Sequence, residues 1–587
     1  MVNKLLSKGK KLLVSPQLSI FSAAGVIMFM IIVSKILGFI RQRVLFTFFP
    51  PEVTDIYLAA FELPDLMFEV FVTGVLSAAF IPVFSKYLNK KGKKRAWETV
   101  NASMSLLVLI FLAFSLLVFS FASPIYHFLA GSSFKSAVGI VGGFSGVEIE
   151  RVIFLSRILI LGQFFFLVST FFTGMLESQK RFIIPAIAPL FYNLGIIVST
   201  YLFADNLGLL APTLGAVVGA FLHFLIQLPF VLELGFRPKI LWNPKDKGVI
   251  ELAKLATPRV LEVSLFQIRR FVWLFLSSTV PGGLTYLRSA DLLQSLPIGV
   301  FGLSLAKAAF PSLSREYALG RMDEFRRIFF ASLNQILYFV VPISVFMIIL
   351  RVPIVRLVFG AEQFGWNDTI QTGQVLSGFA LGIFAYASSL VLSRGFYSLH
   401  DTKTPVYISA LSVFLNAFLG FLFIVGLRLQ TWGIALSFSI SGIVQFLLMF
   451  TIFLKRINGD RLKVLVPLLK MVVASGISAF VMFFILKIFD RSVWVKRLSF
   501  LGSLEATKDI AFERFVLDTR YTGNLIILTS VVFLIGSILY FVITYVLRSQ
   551  EARNALQFLP RFIGASPRPN GKDSEQVSPP PVDTSAS

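Results

Sequence analysis

The chain has 587 residues, of which 56% are hydrophobic and 14% are charged, and its formal net charge is +23. A water-soluble protein of this length needs far more charge to cover its surface, so the composition excludes that class and predicts a membrane protein. The sequence contains no cysteine and only three widely separated histidines, which excludes disulfides and thiol catalysis and argues against a histidine metal centre.

Apolar windows of about 20 residues, the length that crosses the hydrocarbon core, recur along the chain. They predict an all-α polytopic membrane protein with about 14 transmembrane spans. Spans 1 to 14 are expected at residues 20–42, 55–85, 100–124, 152–176, 183–204, 209–234, 251–280, 285–313, 327–350, 372–397, 405–427, 431–454, 463–488 and 523–547. No small-residue cleavage site follows the first apolar run, so we expect span 1 to be retained rather than removed as a signal peptide.

Lysine and arginine collect in alternate loops between these spans. The clusters lie at 4–11, 86–95, 180–181, 237–247, 315–327, 394–403 and 455–463. This is the positive-inside pattern, which explains the net charge better than nucleic-acid binding does and places both termini in the cytoplasm. By the same count the charged segment 489–522 is an outer loop. The tail, 549–587, is rich in proline and serine and is expected to be largely disordered.

An internal repeat divides the chain. The segment LPDLMFEVFVTGVLSAAFIPVFSKY (63–87) is similar to LPIGVFGLSLAKAAFPSLSREY (296–317), and GMLESQKRFIIP (174–185) is similar to GFYSLHDTKTP (395–405). Spans 1–6 and 7–12 therefore form two copies of a six-helix unit with pseudo-twofold symmetry, parallel because six is even. We expect a basic N-terminus (1–19), an N-lobe (20–236), a C-lobe (237–455), two added helices with the outer loop (456–548) and the tail.

Charged residues inside the membrane concentrate in spans 1, 2, 7 and 8. Each costs about 2.5–3.5 kcal/mol at the bilayer centre, so these groups must face one another or water rather than lipid. Glu62, Asp65 and Glu69, spaced i, i+3 and i+7, share one face of a helix. The pseudo-twofold symmetry would bring the four charged spans around a common centre. The sequence therefore predicts a polar cavity between the lobes, lined by spans 1, 2, 7 and 8.

This cavity has a defined set of candidate binding groups. The candidate substrate-binding cations are Lys35, Arg41, Arg259, Arg269, Arg270 and Arg288. The candidate cavity acids are Glu62, Asp65, Glu69, Glu262 and Asp291. With Arg43 and Lys307 included, 8 cations face 5 acids, and a net-positive cavity suits an anionic substrate, above all a phosphate. We expect Arg43 to anchor the outer interface, and structural pairing of the span 2 acids with the cations is the open alternative.

No catalytic constellation stands out in the sequence. It contains no G-x-S-x-G, no P-loop and no H-E-x-x-H, so we expect a transporter and not an enzyme, without catalytic residues or a metal site. Glu52 and Asp55 flank the first outer loop, where a membrane glycosyltransferase would need acids. This keeps that class of enzyme open as an alternative.

The sequence from SKILGFIRQR (34–43) through TDIYLAAFELPDLMFEVFVTGVLSAAFIPVFSKY (54–87) resembles the opening of the MurJ/MviN family, the proposed lipid II flippases of bacteria. The segments FLIQLPFVLELGF (224–236), GVFGLSLAKAAFPSLS (299–314) and GFYSLHDTKTP resemble later parts of the family in the same order. The resemblance covers about residues 20–455 and the span count. It indicates the multidrug/oligosaccharidyl-lipid/polysaccharide exporter superfamily.

This resemblance implies two six-helix lobes with two extra C-terminal helices, and transport by alternating access. A polyprenyl-pyrophosphate-linked peptidoglycan precursor, lipid II, would pass from the inner to the outer leaflet of the bacterial cytoplasmic membrane. Cavity cations would hold its pyrophosphate, and a groove formed partly by spans 13 and 14 would hold its lipid tail. The implied partners are this anionic lipid-linked oligosaccharide, membrane lipid and cell-wall synthesis enzymes, with no nucleic acid, and the implied state is a monomer.

The chain keeps part of the family's charge pattern. Positive charge is present at Lys35 and Arg41. Where the family usually has a pair of arginines in span 2 the chain has Phe68 and Glu69, and where it usually has an arginine in span 8 the chain has Leu292. Two of the four expected kinds of cavity cation are therefore missing, and the arginines of span 7 are expected to compensate.

The resemblance also bears on cofactors. The family's sodium site takes an acid in span 7, where this chain has Trp273, and an acid in span 11, where it has Gly420, while Asn416 fits a further ligand. The sequence thus predicts no cofactor, with coupling to sodium or to the membrane potential left open. The alternatives for the function are an exporter of the same fold for another lipid-linked oligosaccharide or a drug, and a non-transporting cell-wall scaffold.

Overall fold

The computed structural model describes residues 20–71, 80–137, 139–489 and 521–553, with only the backbone at 20–28, 31 and 258–266. The predictions for the basic N-terminus, for nearly all of the outer loop and for the tail beyond 553 lie outside the described residues. The described chain is built from helices, numbered α1 to α20 in chain order.

The first nine helices build the N-lobe. They are α1 (Ile20–Phe48), α2 (Pro51–Ala60), α3 (Glu62–Phe68), α4 (Ile81–Lys91), α5 (Lys93–Ala130), α6 (Ser132–Ala137), α7 (Gly146–Ser178), α8 (Ile183–Leu207) and α9 (Leu210–Glu233). Local chemistry sets these boundaries. Pro51 opens α2, where its missing N–H leaves no hydrogen bond unmade. Ser145 precedes α7 and forms a reciprocal capping box with Glu148.

The next nine helices begin with the helix that joins the lobes. They are α10 (Lys247–Ser277), α11 (Gly283–Pro297), α12 (Ser304–Ala318), α13 (Met322–Ile349), α14 (Arg351–Phe359), α15 (Trp366–Ala380), α16 (Ile383–Ser398), α17 (Lys403–Phe421) and α18 (Trp432–Ile457). Asp246 caps α10 by accepting hydrogen bonds from the N–H groups of Gly248 and Val249. The added helices α19 (Leu462–Phe489) and α20 (Thr522–Val546) follow.

The apolar helices agree with the sequence prediction. Within the described residues 10 helices, counting α11 and α12 as one, are long and apolar enough to cross a membrane, and α15 and α16, bent by 41°, form an eleventh such unit. These units coincide with 11 of the predicted spans. Spans 1, 2 and 7 correspond to α1, the broken segment α2–α4, and α10, which carry the intramembrane charges. The chain is a multi-pass helical membrane protein, while the count of fourteen stays a prediction.

The backbone repeats itself at the register that the sequence indicated. Lys180 (φ 60°) and His400 (φ 59°) both adopt the left-handed conformation in the turn before the fifth helix of each copy. Their separation equals that between Pro185 and Pro405, the prolines that the repeated segments align. The other repeated segment shows a second similarity. A π-helical turn follows Pro64 in the N-lobe, at residues 69–71, and Pro297 in the C-lobe, at Ile298–Leu303.

Each of these left-handed turns is tied to the end of the last helix of its lobe by an ion pair. In the N-lobe, Nη1 of Arg181 lies 3.6 Å from Oε2 of Glu233. In the C-lobe, Asp401 pairs with Arg456. We call these two ion pairs the turn pairs. The turn carries the cation in the N-lobe and the acid in the C-lobe, so the two turn pairs have opposite polarity.

Each lobe has its own core of buried apolar side chains, and α10 is shared between them. Leu252, near the inner end of α10, packs into the N-lobe core, and Trp273, near the outer end, packs into the C-lobe core. The added helices pack on the C-lobe through α13, where the hydroxyl of Tyr540 donates to the carbonyl oxygen of Tyr338 at 2.8 Å. The two lobes can therefore move relative to each other with α10 as a continuous connection.

Candidate functional site

Four charged side chains from both lobes form one ion-pair cluster. Glu62 of α3 pairs with Arg288 of α11, and its Oε2 lies 3.3 Å from Nε of Arg270 on α10. Nη2 of Arg270 also lies 2.7 Å from Oδ2 of Asp65. The side chain of Glu62 is 1% exposed. One buried carboxylate of the N-lobe therefore binds two arginines that lie outside this lobe. We call these four residues the charge cluster.

The charge cluster lies well inside the membrane. Phe61 interrupts the helix between α2 and α3, and Glu62 is the first residue after this break. At 1.5 Å per residue from the outer ends of α2, α10 and α11, Glu62, Arg270 and Arg288 lie about 16, 10 and 8 Å deep. Unpaired charges at such depth are costly, and the pairing offsets that cost. Spans 2, 7 and 8 therefore meet at their charged faces, and Glu62 and Asp65 of span 2 are structural partners of the arginines.

Two candidate cations lie on α1, the helix of span 1. On α1, Lys35 is exposed and Arg41 is half-buried. Arg41 and Asp65 share Tyr57 and Tyr192 as electrostatic neighbours. Among the described residues no acid forms a direct ion pair with either cation. Their charges are therefore available to an anion, and their role as substrate contacts stays a prediction.

The remaining candidates have separate surroundings. Asp291 accepts a hydrogen bond from Nε2 of Gln294, one turn further along α11, at 2.9 Å. Glu69 is half-buried directly after α3 and acts on the charge cluster through space. The side chains of Arg259 and Glu262 lie outside the described residues. None of these positions is tested as a substrate contact.

The positions where the resemblance expects further arginines are apolar and pack within their own lobes. Phe68 meets Phe166 of α7 edge to face, with ring centroids 5.5 Å apart. Leu292 is half-buried against the C-lobe core. Arg270 and Arg288 supply positive charge from the neighbouring helices.

The outer ends of the lobes are joined by direct bonds. Oδ1 of Asp55 accepts a hydrogen bond from the backbone N–H of Thr285 at 2.7 Å, and the hydroxyl of Thr285 donates to the carbonyl oxygen of Pro51 at 3.1 Å. Asp55 therefore caps the N-terminus of α11 from the other lobe. Arg43 donates to the carbonyl oxygen of Leu357 on α14 at 3.1 Å, while its expected role as an anchor at the membrane interface stays a prediction. Asp55 is 1% exposed, so it is not the accessible outer acid that a glycosyltransferase would need.

A buried lysine adds to this outer closure. Nζ of Lys135, on the short helix α6, lies 2.5 Å from Oγ of Ser278 and 5.0 Å from the ring centroid of Phe275. Gly142 follows with a φ of 97°, and a Cβ there would meet the carbonyl oxygen of Thr279. The sequence analysis missed these contacts because they lie outside the predicted spans. The one available signal is a lone lysine in an otherwise apolar and small-residue stretch.

The outer closure should depend on pH through Lys135. Burial lowers the pKa of Lys135 to about 7, from an ordinary value of 10.5. Between pH 7 and 10 an exposed lysine binds more protons than the buried one, so the closed form loses stability as pH falls through this window and changes no further below it. We expect the wild type to lose about 3 kcal/mol of unfolding free energy between pH 9.5 and 7.5, relative to Lys135→Met. Denaturant unfolding at both pH values measures this, and an equal pH response of the two proteins would contradict it.

The inner ends of the lobes are joined mainly through α10. Lys86 pairs with Glu251 at 2.7 Å, and Arg95 pairs with Asp246 at 2.5 Å. These two ion pairs bind the N-lobe to the start of α10. In the described part of the chain, every hydrogen bond or ion pair between the N-lobe and α11–α18 lies in the outer half, with Glu62 the deepest. The bonds that the described residues show between the lobes therefore lie towards the predicted outer end of this interface.

Arg269, the neighbour of Arg270, faces a different space. Its guanidinium lies 5.3 Å from the ring centroid of Trp273 and 5.1 Å from that of Phe438. It lines a cavity of about 280 Å³ between α10, α16, α17 and α18. The polar lining includes Tyr386, Ser389, Ser393, Ser412, Asn416 and Gln445. Successive residues of a helix point about 100° apart, so Arg269 and Arg270 face different spaces. The sequence predicts that both arginines face the space between the lobes, but Arg269 lies in the C-lobe cavity instead.

Two helical lobes, joined by one continuous helix and closed at one end around buried opposite charges, define a membrane transporter of the alternating-access class. The comparisons with known proteins specify it further. The chain belongs to the lipid II flippase MurJ family, whose model matches residues 46–504.

Relatives and solved structures agree with this assignment. The chain is similar to the probable lipid II flippases MurJ of Buchnera aphidicola, 28% identical over 72% of this chain and 81% of the relative, and of Borreliella burgdorferi, 28% identical over 80% and 89%. A lipid II flippase MurJ in an inward closed conformation shares the fold with a TM-score of 0.70, 22% identity and coverage of 90% and 99%. An inward-facing multidrug resistance MATE family transporter of the MOP superfamily gives a TM-score of 0.60, with 14% identity and coverage of 72% and 94%. The predicted family and fold class are thereby confirmed.

Proposed function

We propose that this protein flips lipid II, a polyprenyl-pyrophosphate-linked peptidoglycan precursor, from the inner to the outer leaflet. Family membership gives the class of substrate. The observation that carries the site is the position of Lys35 and Arg41, which make no direct ion pair with a described residue and lie on the lobe that borders the charge cluster. Phosphate oxygens are strong acceptors for lysine and arginine, so these two cations are the first contacts of the pyrophosphate.

The charge cluster gives this substrate a way to change the conformation. With the outer end closed, Glu62 neutralises Arg270 and Arg288. A pyrophosphate close to Arg41 competes for these arginines, because it offers several anionic oxygens where Glu62 offers two. Substrate binding then weakens the bonds between the lobes at the outer end. This differential interaction with the two states is the free energy that drives the lobes apart on the outer side.

The lipid tail needs an apolar path outside the polar site. A groove of about 1180 Å³ lies between α13, α19 and the end of α20. Phe330, Phe339 and Val466 contribute apolar surface to it. Charged groups also line it, at Asp323, Arg327, Lys463, Lys470, Arg548 and Glu551. This arrangement supports the proposal that the added helices hold the polyprenyl chain while the head group stays between the lobes.

The same proposal includes the cellular setting. The chain acts as a monomeric transporter rather than an enzyme, in the bacterial cytoplasmic membrane, with both termini in the cytoplasm and with cell-wall synthesis enzymes as further partners. Membership of a family described as lipid II flippases supports the transporter over an enzyme. The cation clusters in alternate loops support the orientation.

The double variant Lys35→Ala, Arg41→Ala tests the function. We expect it to abolish rescue of a bacterium depleted of its own flippase, because the pyrophosphate loses both of its free cations, while the protein still reaches the membrane. An assay of lipid II accessibility at the outer leaflet should show the same loss. Lys90→Ala is the control, since Lys90 is exposed on α4 and takes no part in the site or the outer closure, and it should retain rescue.

The outcomes separate the competing functions. Normal rescue by the double variant, at normal expression, would contradict the assignment of Lys35 and Arg41 to the substrate site. A scaffold would tolerate that double variant and fail instead when the tail or the cytoplasmic loops are deleted. Rescue without any change in lipid II accessibility would point to a different lipid-linked substrate.

A further inference from the structure

The cavity around Arg269 offers oxygen acceptors to a positive charge. The hydroxyl of Ser389 donates to the carbonyl oxygen of Ala385 at 2.8 Å, and that of Ser412 donates to the carbonyl oxygen of Ser441 at 3.1 Å. With their protons directed at the backbone, these hydroxyl groups present oxygen lone pairs to the cavity. The cavity is thus built to surround a cation.

Aromatic faces complete the surroundings of this cation. The guanidinium of Arg269 lies over the rings of Trp273 and Phe438, and the ring of Tyr386 stacks on Phe438 at a centroid distance of 4.1 Å. The face of an aromatic ring carries negative charge density and attracts a cation that is shielded from water. Two aromatic rings therefore face Arg269, and no acidic residue lines the described cavity.

The residues present do not fit a sodium ion. Where the resemblance expects acids, the chain has the indole of Trp273 and the bare backbone of Gly420, against which Leu276 packs. Among the residues that the structure describes, no group of three or more His, Cys, Asp or Glu side chains is placed to hold a metal ion. A guanidinium held in this cavity would also repel a second cation.

We propose that Arg269 is a tethered cation, which permanently supplies the positive charge that this C-lobe cavity is built to hold. The C-lobe then keeps its packing around α10 without binding sodium. For the transport cycle, this inference rests on the proposed function. Its consequence is that flipping does not depend on a sodium gradient. It also removes Arg269 from the contacts of the pyrophosphate.

The thermal unfolding midpoint of the purified full-length chain in detergent tests this inference without a transport assay. At equal ionic strength, we expect the wild type to have the same midpoint in sodium, potassium and choline chloride. Arg269→Met, which keeps the length but removes the charge, should lower the midpoint by about 3 °C because both ring contacts are lost. Arg269→Lys keeps the charge and should lose less. Arg315→Met is the matched control, since the Arg315 side chain is 75% exposed, and should leave the midpoint unchanged.

A saturable rise of the wild-type midpoint in sodium, absent in potassium and choline, would overturn the inference even if no variant folds. So would a midpoint for Arg269→Met equal to that of the control, or equal losses for the methionine and lysine variants. These outcomes are independent of the flippase proposal. Sodium-dependent stability with normal rescue by the wild type refutes the tethered cation alone, whereas normal rescue by Lys35→Ala, Arg41→Ala refutes the assigned flippase site alone.

Discussion

Replacing Glu62 with glutamine is expected to lower the free energy of unfolding by about 3 kcal/mol, because removing one partner of a buried ion pair leaves the other charge without compensation. Glu62 binds both Arg270 and Arg288, while Asp65 reaches only Arg270. Arg288 is therefore left without an acid that the described structure shows within bonding distance. Denaturant unfolding of the purified protein measures the loss, and cell rescue should fail because the outer closure is weakened.

The charge cluster also supplies the controls for this prediction. Glu69→Gln, directly after the same helix, removes an acid that makes no direct ion pair with a described residue and should cost less than about 1 kcal/mol. The double variant Glu62→Gln, Arg288→Met removes the stranded charge as well and should recover part of the lost stability. A double variant less stable than Glu62→Gln alone, or equal losses for Glu62→Gln and Glu69→Gln, would contradict the assigned pairing.

Replacing Asp55 with alanine is expected to open the outer end of the lobes. The carboxylate caps α11 from the opposite lobe, and loss of a helix cap costs about 1–2 kcal/mol. If outer opening precedes labelling, this cost raises the labelling rate of a buried outer thiol about 10-fold. The chain contains no cysteine, so Ser278→Cys alone provides such a thiol at the second outer contact. The measurement is the rate of maleimide labelling with and without Asp55→Ala.

An asparagine at position 55 tests whether the hydrogen bond of the cap, rather than the mere presence of a side chain, holds the outer end closed. Asp55→Asn keeps an oxygen that accepts the hydrogen bond from Thr285, so labelling should rise less than in the alanine variant. Glu52→Ala is the exposed control on the same helix and should leave the rate unchanged. Equal labelling rates in the parent and in Asp55→Ala would show that the cap does not hold the outer end closed.

The fold follows from the sequence to the extent that membrane thickness dictates it. A helix that crosses hydrocarbon needs about 20 apolar residues, and this length locates the apolar spans. The helices run further than the apolar windows, as α5 (Lys93–Ala130) shows against the predicted 100–124, because helical hydrogen bonding continues into the polar interface. The break at Phe61 and the π-helical turn Ile298–Leu303 were not predicted, since both depend on packing between helices.

The sequence predicts where the site lies, but not which acid pairs with which arginine. The cost of burying charge predicted that the charges of spans 1, 2, 7 and 8 would face one another or water. Glu62 with Arg270 and Arg288 shows such pairing for spans 2, 7 and 8, while the part of span 1 stays a prediction. Which partner each charge takes depends on the rotation of each helix about its axis. The adjacent residues Arg269 and Arg270 show this, since one lies in the C-lobe cavity and the other in the charge cluster. Lys135 was missed because it comes from a loop helix that apolar length does not locate.

The turn pairs bear on how a chain with two similar halves assembles correctly. The two turns share the left-handed backbone at Lys180 and His400, so backbone shape alone would not distinguish one turn from the other. A wrong match would set Arg181 against Arg456, or Asp401 against Glu233, which are like charges in both cases. Only the native combinations attract, so specificity comes from repulsion of the competitor as well as from attraction of the partner. The reversed polarity of the turn pairs therefore favours pairing of each turn with the last helix of its own lobe.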